Sequence, residues 1–116
     1  MVSQRYGLLL GNMQSTIDAV SNPYRREIIR LVWDKELSSG EIARHFDVTW
    51  QSISRNLKVL RTAGLIDESR RGTQRLYKAN REALRPVEDL LHRMWEDSLD
   101  NIVVLAEREH RSKRRR

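Results

Sequence analysis

The sequence predicts a mainly helical α+β fold: several helices, one two-stranded β-hairpin and a long closing helix. Three observations carry that prediction. Apolar residues recur at helical spacing in five segments, most of them opened by a capping residue. Between residues 65 and 78, two short strand-like runs flank a turn containing Gly72. The last segment, from Pro86 onward, carries an apolar face wider than a small domain can cover by itself.

Residues 1–12 show no clear period and are expected to form an arm. Met13 to Val20 is a short helix with Ile17 and Val20 facing inward. Ser21-Asn22-Pro23 stops that helix and starts the next, with Asn22 as N-cap and Pro23 at the first helical position. This second helix is expected to reach about Asp34, packing Ile28, Ile29, Leu31 and Val32. Leu37 falls in a brief extended link. Ser38 or Ser39 caps a third helix, Gly40 to Phe46, and Asp47-Val48 makes the turn after it. Thr49 caps a fourth helix that ends at Gly64, a natural left-handed C′ residue. Leu65–Ser69 and Arg75–Lys78 are the two strands, joined across residues 70–74. Asn80 can cap the segment after the hairpin, and Pro86 opens the final amphipathic helix.

The fourth helix has two faces. At about 100° per residue, Ile53, Leu57 and Leu60 share one stripe, while Gln51, Arg55, Lys58 and Thr62 point the other way. An amide, a guanidinium, an ammonium and a hydroxyl, with no acid among them, suit a surface that meets phosphates and base edges in a DNA major groove. Arg suits guanine and Gln suits adenine. Ser39, Ser52 and Ser54 can donate to phosphates, though serines also simply cap helices, and Thr49 and Trp50 stand at the same helix start. Trp50 either packs on a thymine methyl or sugar, or folds back on the protein. Arg70, Arg71, Thr73 and Arg75 crowd around Gly72 in a hairpin tip suited to phosphate or a narrow minor groove.

Charge supports this division. The net charge is +6, but it is uneven: residues 41–80 carry eight basic and four acidic side chains, and residues 81–110 carry four and eight. The last six residues hold five cations, a run expected to be disordered that adds salt-sensitive affinity for DNA or serves solubility alone. Because it is acidic, the final helix is not a DNA surface. Its apolar face instead predicts a two-fold homodimer built from Val87, Leu90, Leu91, Met94, Trp95 and Ile102, with Ile17 contributing.

Composition excludes other classes. With no cysteine, disulfides, thiol catalysis and thiolate metal sites are ruled out. No run is long and apolar enough for a membrane span, so a soluble cytoplasmic protein with no membrane partner is expected. No nucleophile stands beside a base and no glycine-rich phosphate loop occurs, so neither an enzyme nor a cofactor is expected.

Four phrases, taken together and in order, resemble the ArsR/SmtB family of winged helix–turn–helix transcriptional repressors: Ser21-Asn22-Pro23-Tyr24-Arg25-Arg26-Glu27-Ile28-Ile29, Glu41-Ile42-Ala43-Arg44-His45-Phe46, Ile53 through Ile66, and Arg71-Gly72 to Leu76-Tyr77. The resemblance spans roughly residues 13–110, leaving residues 1–12 as the arm and 111–116 as the basic tail. It implies a homodimer on a dyad-symmetric operator, with the helix from Thr49 in the major groove and the Arg70–Arg75 tip on the adjacent backbone or minor groove. The cysteine motif of the metal-sensing members is replaced here by Glu36-Leu37-Ser38-Ser39-Gly40-Glu41, which has no soft ligand. Other members bind zinc between their last helices. Asp89 with His92 and Glu107 with His110 repeat a suitable spacing, but solvated faces of an amphipathic helix are the expected reading, and no metal is assigned. An unidentified small-molecule effector between the dimer helices stays open. The alternative function is a winged-helix protein-docking module, in which the arginines serve only solvation.

Overall fold

The computed structural model describes residues 13–97; the expected N-terminal arm and basic tail lie outside the described residues. Helix α1 covers residues 13–20, and Ser21 Oγ closes its end by donating to the Asp18 carbonyl at 2.7 Å. Asn22 then caps α2, Pro23–Leu31: its Oδ1 accepts from the backbone N–H of Tyr24 (2.8 Å) and Arg25 (3.2 Å). The helix stops at Leu31 rather than near Asp34. The Val32 carbonyl accepts from Ala79 N–H at 2.9 Å, so the sheet takes the group that another helical turn would use.

Leu37–Ser38 form a strand, β1, where the sequence suggested only a link. It pairs antiparallel with β3 (Leu37 with Tyr77, Ser38 with Leu76), and the sheet has three strands in the order β1-β3-β2 instead of the expected two. Ser38 also caps α3, Ser39–Ala43, through a reciprocal capping box. Its Oγ accepts from Glu41 N–H at 3.1 Å and its own N–H donates to Glu41 Oε1 at 3.1 Å. The α-helix ends before Phe46, because His45 and Phe46 donate to Ile42 and Ala43, three residues back, and tighten the last turn.

Helix α4, Trp50–Thr62, starts and stops as its sequence requires. Thr49 Oγ1 accepts from Ser52 N–H at 3.1 Å. At the other end Gly64 has φ +75°, and the N–H groups of Leu65 and Gly64 reach the carbonyls of Leu60 and Arg61, both at 3.0 Å. That is the Schellman closure, and it turns the chain straight into β2. Strands β2 (Ile66–Arg71) and β3 (Gln74–Ala79) run in register from Ile66–Ala79 to Arg71–Gln74. The hairpin is therefore longer than predicted, and its turn shrinks to Gly72-Thr73. Only Gly72 takes positive φ (+65°), as the first central residue of a type II′ turn does.

Asn80 caps a short α5, Arg81–Leu84, accepting from Ala83 N–H at 3.2 Å. Arg85–Val87 tighten into a 3₁₀ turn around Pro86, and α6 occupies residues 88–97. The closing helix thus begins after a jointed segment rather than at Pro86, and its expected continuation to residue 110 lies outside the described residues. The core joins Ile28 and Ile29 of α2, Ile42 of α3, Ile53 and Leu60 of α4, Ile66 of β2 and Leu91 of α6. Trp95 Nε1 donates to the Arg26 carbonyl at 3.1 Å and clamps α6 onto α2.

Candidate nucleic-acid interface

Burying Ile53, Leu57 and Leu60 fixes which side of α4 faces solvent. Gln51, Ser54, Arg55, Lys58 and Thr62 are all exposed, and Trp50 is half exposed at 50%. The seat of the helix is also secured by polar contacts. Asn56 is buried; its Nδ2 donates to the Ser52 carbonyl at 3.0 Å and its Oδ1 accepts from Arg25 Nη1 at 3.3 Å. Arg25 in turn donates through Nε to the Ala19 carbonyl (2.7 Å) and through Nη2 to that of Asp18 (3.0 Å). One guanidinium therefore satisfies the end of α1 and orients α4.

Two grooves flank the exposed face. One, about 820 Å³, lies between the start of α3, α4 and the β2–β3 wing. Ser39, Trp50, Ser54, Lys58, Thr73 and Arg75 line it, together with Arg44 and Arg61. The other, about 470 Å³, separates α4 from α1 and is bordered by Arg55, Lys58, Val59 and Thr62 against Asp18 and Arg25. Lys58 borders both, and the two grooves leave α4 standing out as a ridge. At the tip of the wing Arg70 and Arg71 are exposed. A protruding helix beside a basic hairpin is the shape that enters a major groove while the hairpin follows the backbone.

The chain between residues 20 and 69 matches the model of a helix–turn–helix domain. The transcriptional repressor SdpR of Bacillus subtilis is 34% identical over 73 residues, which are 63% of this chain and 81% of the relative. The transcriptional activator HlyU of Vibrio cholerae is 27% identical over 79 residues, 68% of this chain and 73% of that one. Among solved structures, the homodimeric winged helix–turn–helix DNA-binding domain of Mb0332 from Mycobacterium bovis, a possible ArsR-family regulator, superposes with a TM-score of 0.69. Identity is 25%, over 84% of this chain and 90% of that one. This chain belongs to the ArsR/SmtB family of winged helix–turn–helix transcriptional regulators.

Within that family fold, the expected contact residues split into groups. Gln51, Ser54, Arg55 and Lys58 share the ridge of α4, and Arg70, Arg71 and Thr73 share the wing. Thr49 and Ser52 have structural duties at the cap, the first through its hydroxyl and the second through its N–H. Ser39 sits in the first turn of α3, with Ser38 as the cap. Arg75 is less free than its position in the sequence suggested, because its Nε lies 3.5 Å from Glu68 Oε1. Sequence reasoning overlooked Arg61 and Glu68. Arg61 was detectable, since helical spacing puts it on one strip with Ser54 and Lys58. Glu68 was not, because its significance depends on strand register. Its carboxylate accepts from Arg61 Nη1 at 2.6 Å and from the Tyr77 hydroxyl at 3.2 Å. The Arg61 hydrogen bond holds Glu68 below the usual carboxylate range, while burial pushes the Tyr77 phenol up.

The dimer residues divide as well. Val87, Leu91 and Trp95 do not face outward, as a partner contact would require: they are buried against their own chain, in the core beneath α6. Leu90 is 44% exposed and Ile17 43%, Met94 is half-buried, and Ile102 lies outside the described residues. Among the described residues no three His, Asp or Glu side chains group as metal ligands, and Glu107 and His110 lie outside that range. His92 instead packs edge-on to Trp33 and Trp95, at 5.6 and 5.2 Å between ring centroids. No helix among the described residues is long and apolar enough to cross a membrane.

Proposed function

We propose that two copies of this chain bind a dyad-symmetric DNA operator, α4 of each entering a major groove and each wing lying on the flanking backbone, and that binding represses transcription. The observation that carries this reading is the juxtaposition, across one groove, of the acid-free outward face of α4 and the cationic wing. Gln51 and Arg55 take the role of base readers, and Lys58, Ser54, Arg70, Arg71 and Thr73 that of backbone contacts. Repression is the reading that SdpR, the more similar of the two relatives, supports, although HlyU is named an activator. The cytoplasm is the compartment this work requires. Catalysis has no place in it, and a small-molecule effector remains to be sought between the dimer helices.

Selection of bound sequences from a random duplex pool, at near-physiological salt, tests the proposal. An enriched imperfect palindrome with half-sites about one DNA turn apart is expected. Weak, salt-sensitive binding without enrichment would return the chain to the protein-docking alternative.

A further inference from the structure

Three residues that line the groove between α4 and the wing, Arg61, Arg75 and Tyr77, converge on one acid that does not itself line it. Glu68, on β2, engages Arg61 at 2.6 Å, Arg75 at 3.5 Å and the Tyr77 hydroxyl at 3.2 Å. The carboxylate side chain is only 18% exposed, while the two arginines are 43% and 52% exposed. Each guanidinium thus meets an anion on its protein side and solvent on the other. Glu41, the acid among the residues that line the groove, is committed to the Ser38 cap. Of the four cations lining the groove, Arg44 and Lys58 are in no ion pair with Glu68, and Arg61 and Arg75 share its single charge.

We propose that Glu68 is an internal counter-anion, a positioning residue that stands in for a DNA phosphate beside Arg61 and Arg75 and so limits the affinity of the groove for DNA of any sequence. The inference rests on the DNA-binding reading above. The geometry has two consequences. The acid orients both guanidiniums and ties the wing to the C-terminal end of α4, so the free protein already has its groove in shape. It also cancels part of the charge that would otherwise attract backbone indiscriminately, which leaves discrimination to the base-reading ridge.

The test is the salt dependence of binding to a random-sequence duplex by the full chain and its variants. Glu68→Gln keeps the size and one of the two acceptor oxygens but removes the charge. It is expected to steepen the slope of log affinity against log salt by about one, and to tighten binding up to about tenfold at 0.1 M salt, since each extra phosphate contact adds roughly 0.9 to the slope. Glu68→Asp restores the charge and should return the slope towards that of the parent chain. Adding Arg61→Gln to Glu68→Gln should remove much of the gain. Tyr77→Phe withdraws a hydrogen bond but no charge, and should leave the slope alone. If the parent chain binds duplex while Glu68→Gln leaves the slope unchanged or only weakens binding, or if Tyr77→Phe steepens it equally, the counter-anion role is overturned and the DNA-binding reading stands. If the parent chain binds no duplex at all, both fall together.

Discussion

Asn56 and Arg25 show how much of the interface depends on side chains that touch no ligand. Thirty-one positions apart in sequence, they meet at 3.3 Å, and the same guanidinium takes two carbonyls from the end of α1. Asn56→Ala leaves one arm of Arg25 without its acceptor in a half-buried site, and should cost about 1–3 kcal/mol of unfolding free energy. Urea titration would check it; a loss below about 0.5 kcal/mol would mean that water replaces the amide without penalty. This contact was not legible in the sequence. An asparagine beside an apolar stripe looks like surface until its partner is known. The exposed ridge was legible, because Gln51, Arg55 and Lys58 need only helical periodicity to be placed opposite Ile53, Leu57 and Leu60. Glu68, like Asn56, has meaning only through register and long-range contact.

At the scale of elements, capping chemistry was readable and pairing was not. Asn22, Thr49 and Asn80 cap helices as their sequence contexts imply, and Gly64 ends α4. By contrast β1 has two residues, too few for any periodicity, and α2 is cut short because Ala79 takes the Val32 carbonyl. Gly64→Ala meets no neighbouring atom within 4 Å, so its cost comes from the φ of +75° alone. A loss of about 1 kcal/mol in chemical denaturation is expected, and an unchanged midpoint would contradict the left-handed closure. Acid should weaken both the α3 cap and the wing clasp. The backbone and side chain of Ser38 hold Glu41 below the ordinary carboxylate range, and Arg61 does the same for Glu68. A depressed folded value means that the unfolded chain takes up protons first. The contribution is whole above the ordinary carboxylate range and is lost as pH falls through the lower folded values. Thermal midpoints measured downward from pH 6 should therefore fall below about pH 4, and less steeply in Glu68→Gln. Parallel curves for the two proteins would contradict the role of Glu68 in that loss.

For the whole molecule, the single chain leaves apolar side chains uncovered on α1 and on α6. Leu90 and Ile17 are each more than 40% exposed, while Val87, Leu91 and Trp95 are committed to the chain's own core. The sequence had assigned all of them to one dimer face, because periodicity locates an apolar stripe but does not say how much of it the domain itself consumes. Leu90→Glu should convert the proposed dimer to monomer and leave the fold intact, since that side chain is not part of the core. Sedimentation at micromolar concentration would check it, and an unchanged dimer would move the interface elsewhere. In the proposed complex the labour is divided: α4 reads bases and the wing holds backbone. The most direct test is selection from a random duplex pool, run in parallel on the parent chain, Arg55→Ala and Arg71→Ala. Arg55→Ala should lose about 1–3 kcal/mol on the preferred site and relax one position in each half-site, while Arg71→Ala keeps the motif and weakens binding evenly across sequences. An unchanged motif in Arg55→Ala, or an altered one in Arg71→Ala, would contradict it.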